Sequence, residues 1–232
     1  MIFFREQTER RFETSPRKPR HPPRMILIWG LFSLLSIAAH SGPCWAWYDR
    51  THIAIAKAAG YGQSYNAAGA DITKIKAGAI EEKNHFFNNN KDADVTKEMV
   101  LDQANRYNDP NDEEGHLYGA IISSLREFKK FKAAGKFAEY HMAFAVHYIG
   151  DLSQPLHNIS RDRFNIEHHP KNDGLVEEEV SDKINAIQGN MYDIKLNPNH
   201  FEDDLAKEIA RIANLSRSPL QILPCCVCPD RT

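Results

Sequence analysis

A chain of 232 residues with 42% apolar residues and a formal net charge of −2 is long enough to enclose one sizeable core, and it carries no cationic surplus with which to coat nucleic acid. One soluble domain is the expected organisation. Eleven histidines stand mostly beside Asp, Glu or Asn rather than in basic runs, and that composition points to metal.

Residues 1–24 are rich in Arg and Pro with little to bury, and are expected to be a disordered basic extension or a mis-called start. From Met25 the character changes. Residues 25–46, MILIWGLFSLLSIAAHSGPCWA, hold a short apolar run, a polar break and small residues, the plan of a secretory signal peptide. The run is too short to cross a membrane comfortably. Cleavage after Ala46 would leave Trp47 as the first mature residue and place the protein outside the cytoplasm, secreted or periplasmic.

Trp47-Tyr48-Asp49-Arg50-Thr51-His52 then leads into a helix-like stretch that starts near a Thr or Asp cap. A free amine at Trp47, with a pKa near ~8, could give up its proton to a metal and chelate it together with its own carbonyl oxygen; His52 is near enough to join. The plain alternative is an aromatic residue packing a helix start. Further on, Asp71 and His85 flank a helix-compatible segment whose two ends could approach one site. Asp102, Asp109 and His116 form a competing set. The asparagine run after Phe87 reads as a loop. His116 opens a strongly helical segment with a solvated outer face, joined through Gly135 to the next helix.

That next helix carries the most informative stretch, EYHMAFAVHYIGDLSQPLHN. Phe137, Tyr140, Phe144, His147, Tyr148 and Asp151 recur at helical steps, so His147 and Asp151 lie one turn apart on one face. Pro155 ends or kinks the helix, and His157 can fold back toward the first two. Neutral imidazoles and a carboxylate are what divalent zinc takes. A histidine satisfied within the core is the competing reading. His169 and Asp173 are again four apart, with Pro170 and Gly174 weakening a regular helix between them; His168 and Glu177 are the fallback pair. A helical pattern runs from Phe201 to Leu215, closing a domain of residues 47–215. The tail, 216–232, lacks periodicity, and its three cysteines have no partner pair at ligand spacing.

The order of an N-terminal Trp, His52, Asp71 with His85 in an HFF context, HYIGDLSQPLHN, then His169 and Asp173, resembles the trinuclear zinc family of bacterial phospholipases C and fungal single-strand nucleases. The likeness spans Trp47 to about Val180. It implies a compact all-α domain in which three zinc ions line one cleft. Asp71, His85, His147 and Asp151 would hold one ion; His157, His169 and Asp173 a second; Trp47, His52 and Asp151 the third, with Asp151 bridging and Asp71 and Asp151 at the reacting centre. The span from Trp47 to Asp71 and the region after Asp173 are shorter than in that family, and Asp102 with His116 stays open against Asp71 with His85.

The activity implied is hydrolysis of a phosphodiester by hydroxide generated at the zinc ions. The step from His157 to His169 is similar to the phospholipase C spacing, and the Gly-Asn and Asn-Leu-His elements associated with the nucleases are absent. A phospholipid or other phosphodiester is therefore the expected substrate, met by a monomer at a membrane surface. Tyr48, Phe86, Phe87, Tyr118 and Phe164 are candidates for the cleft rim. Nucleic acid becomes the substrate only if the chain is a single-strand nuclease or 3'-nucleotidase of the same fold. A non-catalytic, zinc-stabilised helical domain is the reading from another class.

Overall fold

The computed structural model describes residues 48–87 and 93–218. The expected leader and its upstream extension, Trp47, the asparagine run at 88–92 and the cysteine-bearing segment from 219 onward lie outside the described residues. Among the described residues the chain is helical, with no strand, and no helix is long and apolar enough to cross a membrane. In chain order the helices are α1 (Asp49–Ala58), α2 (Gly69–Ala77), α3 (Ala79–Glu82), α4 (Lys97–Ala104), α5 (Leu117–Ala133), α6 (Glu139–Ser153), α7 (Arg163–Glu179), α8 (Ile184–Asn190) and α9 (Phe201–Arg217).

The centre is α5. Its first two turns, Leu117 to Ser124, are apolar or small all round and buried on every side, whereas the following LREFKKFKA exposes charge. That asymmetry sinks one end of α5 into the core and leaves the other at the surface. Its N-terminus gets no cap from His116; Gln103 of α4 instead offers Oε1 to the backbone N–H groups of Tyr118 (2.9 Å) and Gly119 (3.3 Å). Helix α6 packs alongside, and α9 closes the cluster with Leu205, Ile209 and Ala213 against Tyr118, Tyr148 and Leu152.

Several local expectations are corrected. Helix α6 starts at Glu139, so Phe137 lies outside it and is 72% exposed. Helix α7 runs unbroken through Pro170 and Gly174; its start is fixed by Asp162, whose Oδ1 accepts from the Asn165 N–H at 2.9 Å. No local Thr or Asp caps α1. The Glu177 carboxylate of α7 accepts from the Arg50 and Thr51 N–H groups and from Thr51 Oγ1, each at 2.9 Å, so the cap comes from the far end of the domain. The outer face of α5 is not merely solvated: Arg126 donates to Glu202 from Nε and Nη2, each at 2.8 Å, and Lys129 sits 4.0 Å above the Phe201 ring. Helix α9 continues to Arg217, past the expected boundary at 215, and α8 had no counterpart in the sequence reading.

Candidate metal centre

On α6, His147 and Asp151 lie one turn apart, and both are fully buried. The helix stops at Ser153, Gln154 turns extended (ψ 118°), and Pro155 opens a 3-10 turn, Pro155–Asn158, that carries His157 back into the interior. Asp71 and His85 come from the preceding segment. They do not share one helix: Gly78 has φ +56°, a conformation that favours glycine, and breaks the segment into α2 and α3 so that His85 follows the bend.

The histidines share one pattern. His147 Nδ1 donates to the Ala67 carbonyl at 2.7 Å, leaving Nε2 to the centre. His157 Nδ1 donates to the His85 carbonyl, and its Nε2 is buried without a hydrogen-bond partner. His169 Nδ1 bonds Asn165 Oδ1 at 3.1 Å, and its Nε2 is likewise left over. In His85 the roles of the nitrogens are exchanged: Nε2 lies 3.2 Å from Glu81 Oε1, and Nδ1 faces inward. One nitrogen anchored and the other turned to a shared centre is how a metal-ligating imidazole is held.

Asp71, His85 and His147 bring donor atoms within 4.8 Å of one another, and Asp151 Oδ2 lies beside the two ring nitrogens. His85 Nδ1 is 2.9 Å and His147 Nε2 is 3.3 Å from Asp151 Oδ2; His85 Nδ1 and His147 Nε2 are 3.8 and 3.7 Å from Asp71 Oδ1; the two ring nitrogens are 3.1 Å apart. Four ligands around zinc at ~2.1 Å would be separated by about 3.4 Å in a tetrahedron. The observed separations bracket that value.

The other oxygen of Asp151 serves a different set. Oδ1 lies 3.4 Å from His52 Nε2 and 3.8 Å from His157 Nε2, and it has no hydrogen-bond partner. His52, His147 and Asp151 thus also bring donor atoms within 4.8 Å of one another, but the one inward nitrogen of His147 can serve only one ion. The His52 ring stacks on that of His147, centroids 3.6 Å apart. Beyond His157, the His169 ring is 4.7 Å away, and His169 Nε2 lies 3.2 Å from Asp173 Oδ2. Asp173 Oδ2 is buried and unbonded, while Oδ1 accepts from Gln154 Nε2 at 2.9 Å. Asp151 Oδ1, His157 Nε2, His169 Nε2 and Asp173 Oδ2 are buried with no hydrogen-bond partner, and a bound cation would satisfy them. The buried His/Asp clusters could therefore hold metal.

Electrostatics divide the donors. Burial would raise the Asp151 carboxyl, but the imidazoles of His157, His147 and His52 outweigh it and hold the group well below the usual carboxylate range. Burial also opposes ionised Asp71, and His147 and Lys74 bring it below its ordinary value. Burial pushes His52 and His157 down, and drives His169, with the charge of His157 added, to about 2. His147 is the exception: Asp151 and Asp71 outweigh its burial and raise it. Burial raises Asp173 to about 7, against the hydrogen bond from Gln154 and with Asp151 and Asp71 adding to it. Neutral His52, His157 and His169 beside ionised Asp71 and Asp151 are the forms that bind a divalent cation, whereas His147 and Asp173 are each held toward a proton that a metal must displace.

The competing residues lie elsewhere. Asp102 is a mostly exposed partner of Arg106, Asp109 caps its own turn by accepting from the Asn111 N–H, and His116 sits between Asn84 Oδ1 (2.7 Å) and Asp112 Oδ2 (3.1 Å). His168 lies against the Phe164 ring, and Glu177 caps α1. Of the candidate rim aromatics, Phe87 and Tyr118 are core residues, a correction; Phe164 is exposed. Sequence reasoning passed over Lys74, whose Nζ is 2.5 Å from Asp71 Oδ1, and the buried Glu81 and Asn84. Their signals were present as Asp71-x2-Lys74 and Glu81-x3-His85, each at helical spacing. Comparison of the chain with family models, with curated proteins and with solved structures finds no match.

Proposed function

We propose that the chain is a zinc-dependent phosphodiester hydrolase of the phospholipase C type. The observation that carries this reading is Asp151, a fully buried carboxylate whose two oxygens face separate donor sets, Oδ2 toward His85 and His147 and Oδ1 toward His52 and His157. A carboxylate so placed suits two neighbouring ions better than one closed structural site. When bound, zinc supplies a water of lowered pKa and positive charge for a phosphoryl group in its transition state.

The protein's own part is positioning. His85, His147, His157 and His169 are each fixed through one ring nitrogen, so little reorganisation is needed when the centre is loaded. Asp71 is the most exposed member of the first set, at 18% for the side chain, which marks the edge where the donors meet solvent. The Lys74 ammonium pairs with Asp71 Oδ1 at that edge and helps keep the carboxylate ionised. The same helix exposes Ile72 (58%) and Ile75 (84%), and α7 exposes Phe164 and Ile166; apolar surface of this kind favours an acyl-bearing substrate over a polynucleotide.

The test is an assay of the zinc-loaded protein with a phosphatidylcholine-like chromogenic diester and with single-stranded DNA. Turnover of the lipid-like diester is the expected outcome. Cleavage of DNA alone would make the chain a nuclease of the same design, and zinc binding with no turnover of either would leave the structural role.

A further inference from the structure

Behind the first donor set lies a buried polar cluster that none of the proposed chemistry uses. Glu81 is 5% exposed and Asn84 fully buried. Glu81 Oε1 faces His85 Nε2 at 3.2 Å and accepts from the Tyr148 hydroxyl at 2.6 Å. Its other oxygen accepts from Asn84 Nδ2 at 3.2 Å. Asn84 is oriented in turn: Nδ2 also donates to Asn108 Oδ1 at 3.0 Å, and Oδ1 lies 2.7 Å from His116 Nε2. His116 rests on Asp112, and Asp112 on Arg106 at 2.7 Å near the surface. Every polar atom of the Glu81 carboxylate and the Asn84 amide is thereby used.

We infer that Glu81 is a positioning residue that sets which nitrogen of His85 faces the metal. The other anchored histidines use backbone carbonyls or an amide oxygen; His85 alone among them is backed by a carboxylate. A carboxylate accepts a hydrogen bond from Nε2–H, so Nδ1 keeps its lone pair directed at Asp71, His147 and Asp151. It also makes that lone pair more basic, and a ligand so supported binds divalent metal more tightly. Tyr148 and Asn84 hold the carboxylate from its remaining sides, so it cannot swing to coordinate in its own right.

This inference rests on metal binding at the first donor set, and its test separates the two. Zinc affinity is measured by competition for the wild type, Glu81→Gln, Glu81→Leu and Tyr148→Phe, and the tautomer of His85 in the zinc-loaded forms is read by long-range proton–nitrogen NMR. The wild type is expected to show Nε2–H with Nδ1 on the metal. Glu81→Leu should weaken the first site about tenfold or more, with loss of the single tautomer. Glu81→Gln, which keeps an acceptor oxygen, and Tyr148→Phe should lie between. Helical circular dichroism checks that each variant folds, and Glu81→Gln carries the comparison if Glu81→Leu does not. Wild-type affinity and an unchanged His85 signature in the Glu81 variants would overturn the role of Glu81 while leaving the metal centre standing. A wild type that takes up no zinc would overturn both.

Discussion

A β-carbon on Gly150 would stand 2.8 Å from Nδ1 of His52. The glycine immediately before Asp151 is therefore what lets α1 bring its imidazole against α6, where it stacks on His147 and reaches Asp151 Oδ1. Gly150→Ala should push His52 out of this stack. We expect destabilisation of about 1–3 kcal/mol from overpacking, read by thermal unfolding. His85 and His147 should still bind their ion.

Asp151→Ala should cost more metal than any single histidine variant. Its two oxygens face different donors, so removing it dismantles both sets at once. Elemental analysis of the variant should show more than one zinc lost per chain. A loss of one or fewer would remove the bridging role.

Asp173 gives the site a pH dependence. With its carboxyl raised to about 7 it is largely protonated in mildly acid solution, and a cation entering the His157, His169 and Asp173 set must displace that proton. Affinity there should rise with pH up to about 7 and level off above, whereas Asp173→Asn should bind weakly with a flatter profile. Metal-free stability is a poorer readout. The raised Asp173 contributes stability that is present below ~4 and lost as pH rises through about 7, and the depressed His169 contributes stability that is present above ~6.5 and lost as pH falls toward 2. The two oppose one another across the mildly acid range.

His85 and His116 should behave differently. His85→Ala removes a donor and should empty the first set and abolish turnover. His116→Ala leaves Asn84 Oδ1 without its partner in a buried position and should cost about 1–3 kcal/mol of stability, with the zinc count at saturation unchanged. Isothermal titration with zinc, beside denaturant unfolding, distinguishes them.

Glu177→Ala strips the cap from α1. Loss of the bonds to the Arg50 and Thr51 N–H groups should destabilise the protein by about 1–2 kcal/mol in urea unfolding, and His52, borne on that helix, should become more mobile.

The all-helical fold was legible because α5, α6 and α9 keep a helical period over long runs, and Pro155 marked the end of α6. The donors on α6 were legible for the same reason: spacing four apart on one helix is a local property. What was not legible is long-range or against propensity. Glu177 caps a helix 126 residues away from Thr51, which no local pattern announces. Helix α7 runs through Pro170 against that residue's own preference. Phe87 and Tyr118 were read as rim residues because sequence does not tell a buried aromatic from an exposed one, and Glu81 was not singled out although Tyr148 and Asn84 enclose it.

The most direct test of the account is the zinc content of the purified protein with its N-terminus defined by mass spectrometry. Titration of the metal-free chain with zinc, followed by elemental analysis after removal of excess, should give about three ions per chain when Trp47 is the free first residue, and about one fewer when a Met-Ala extension precedes it. Saturation at a single ion would contradict the proposed bridging centre and the three ions the resemblance implies, and equal counts from the two N-termini would remove Trp47 from the site.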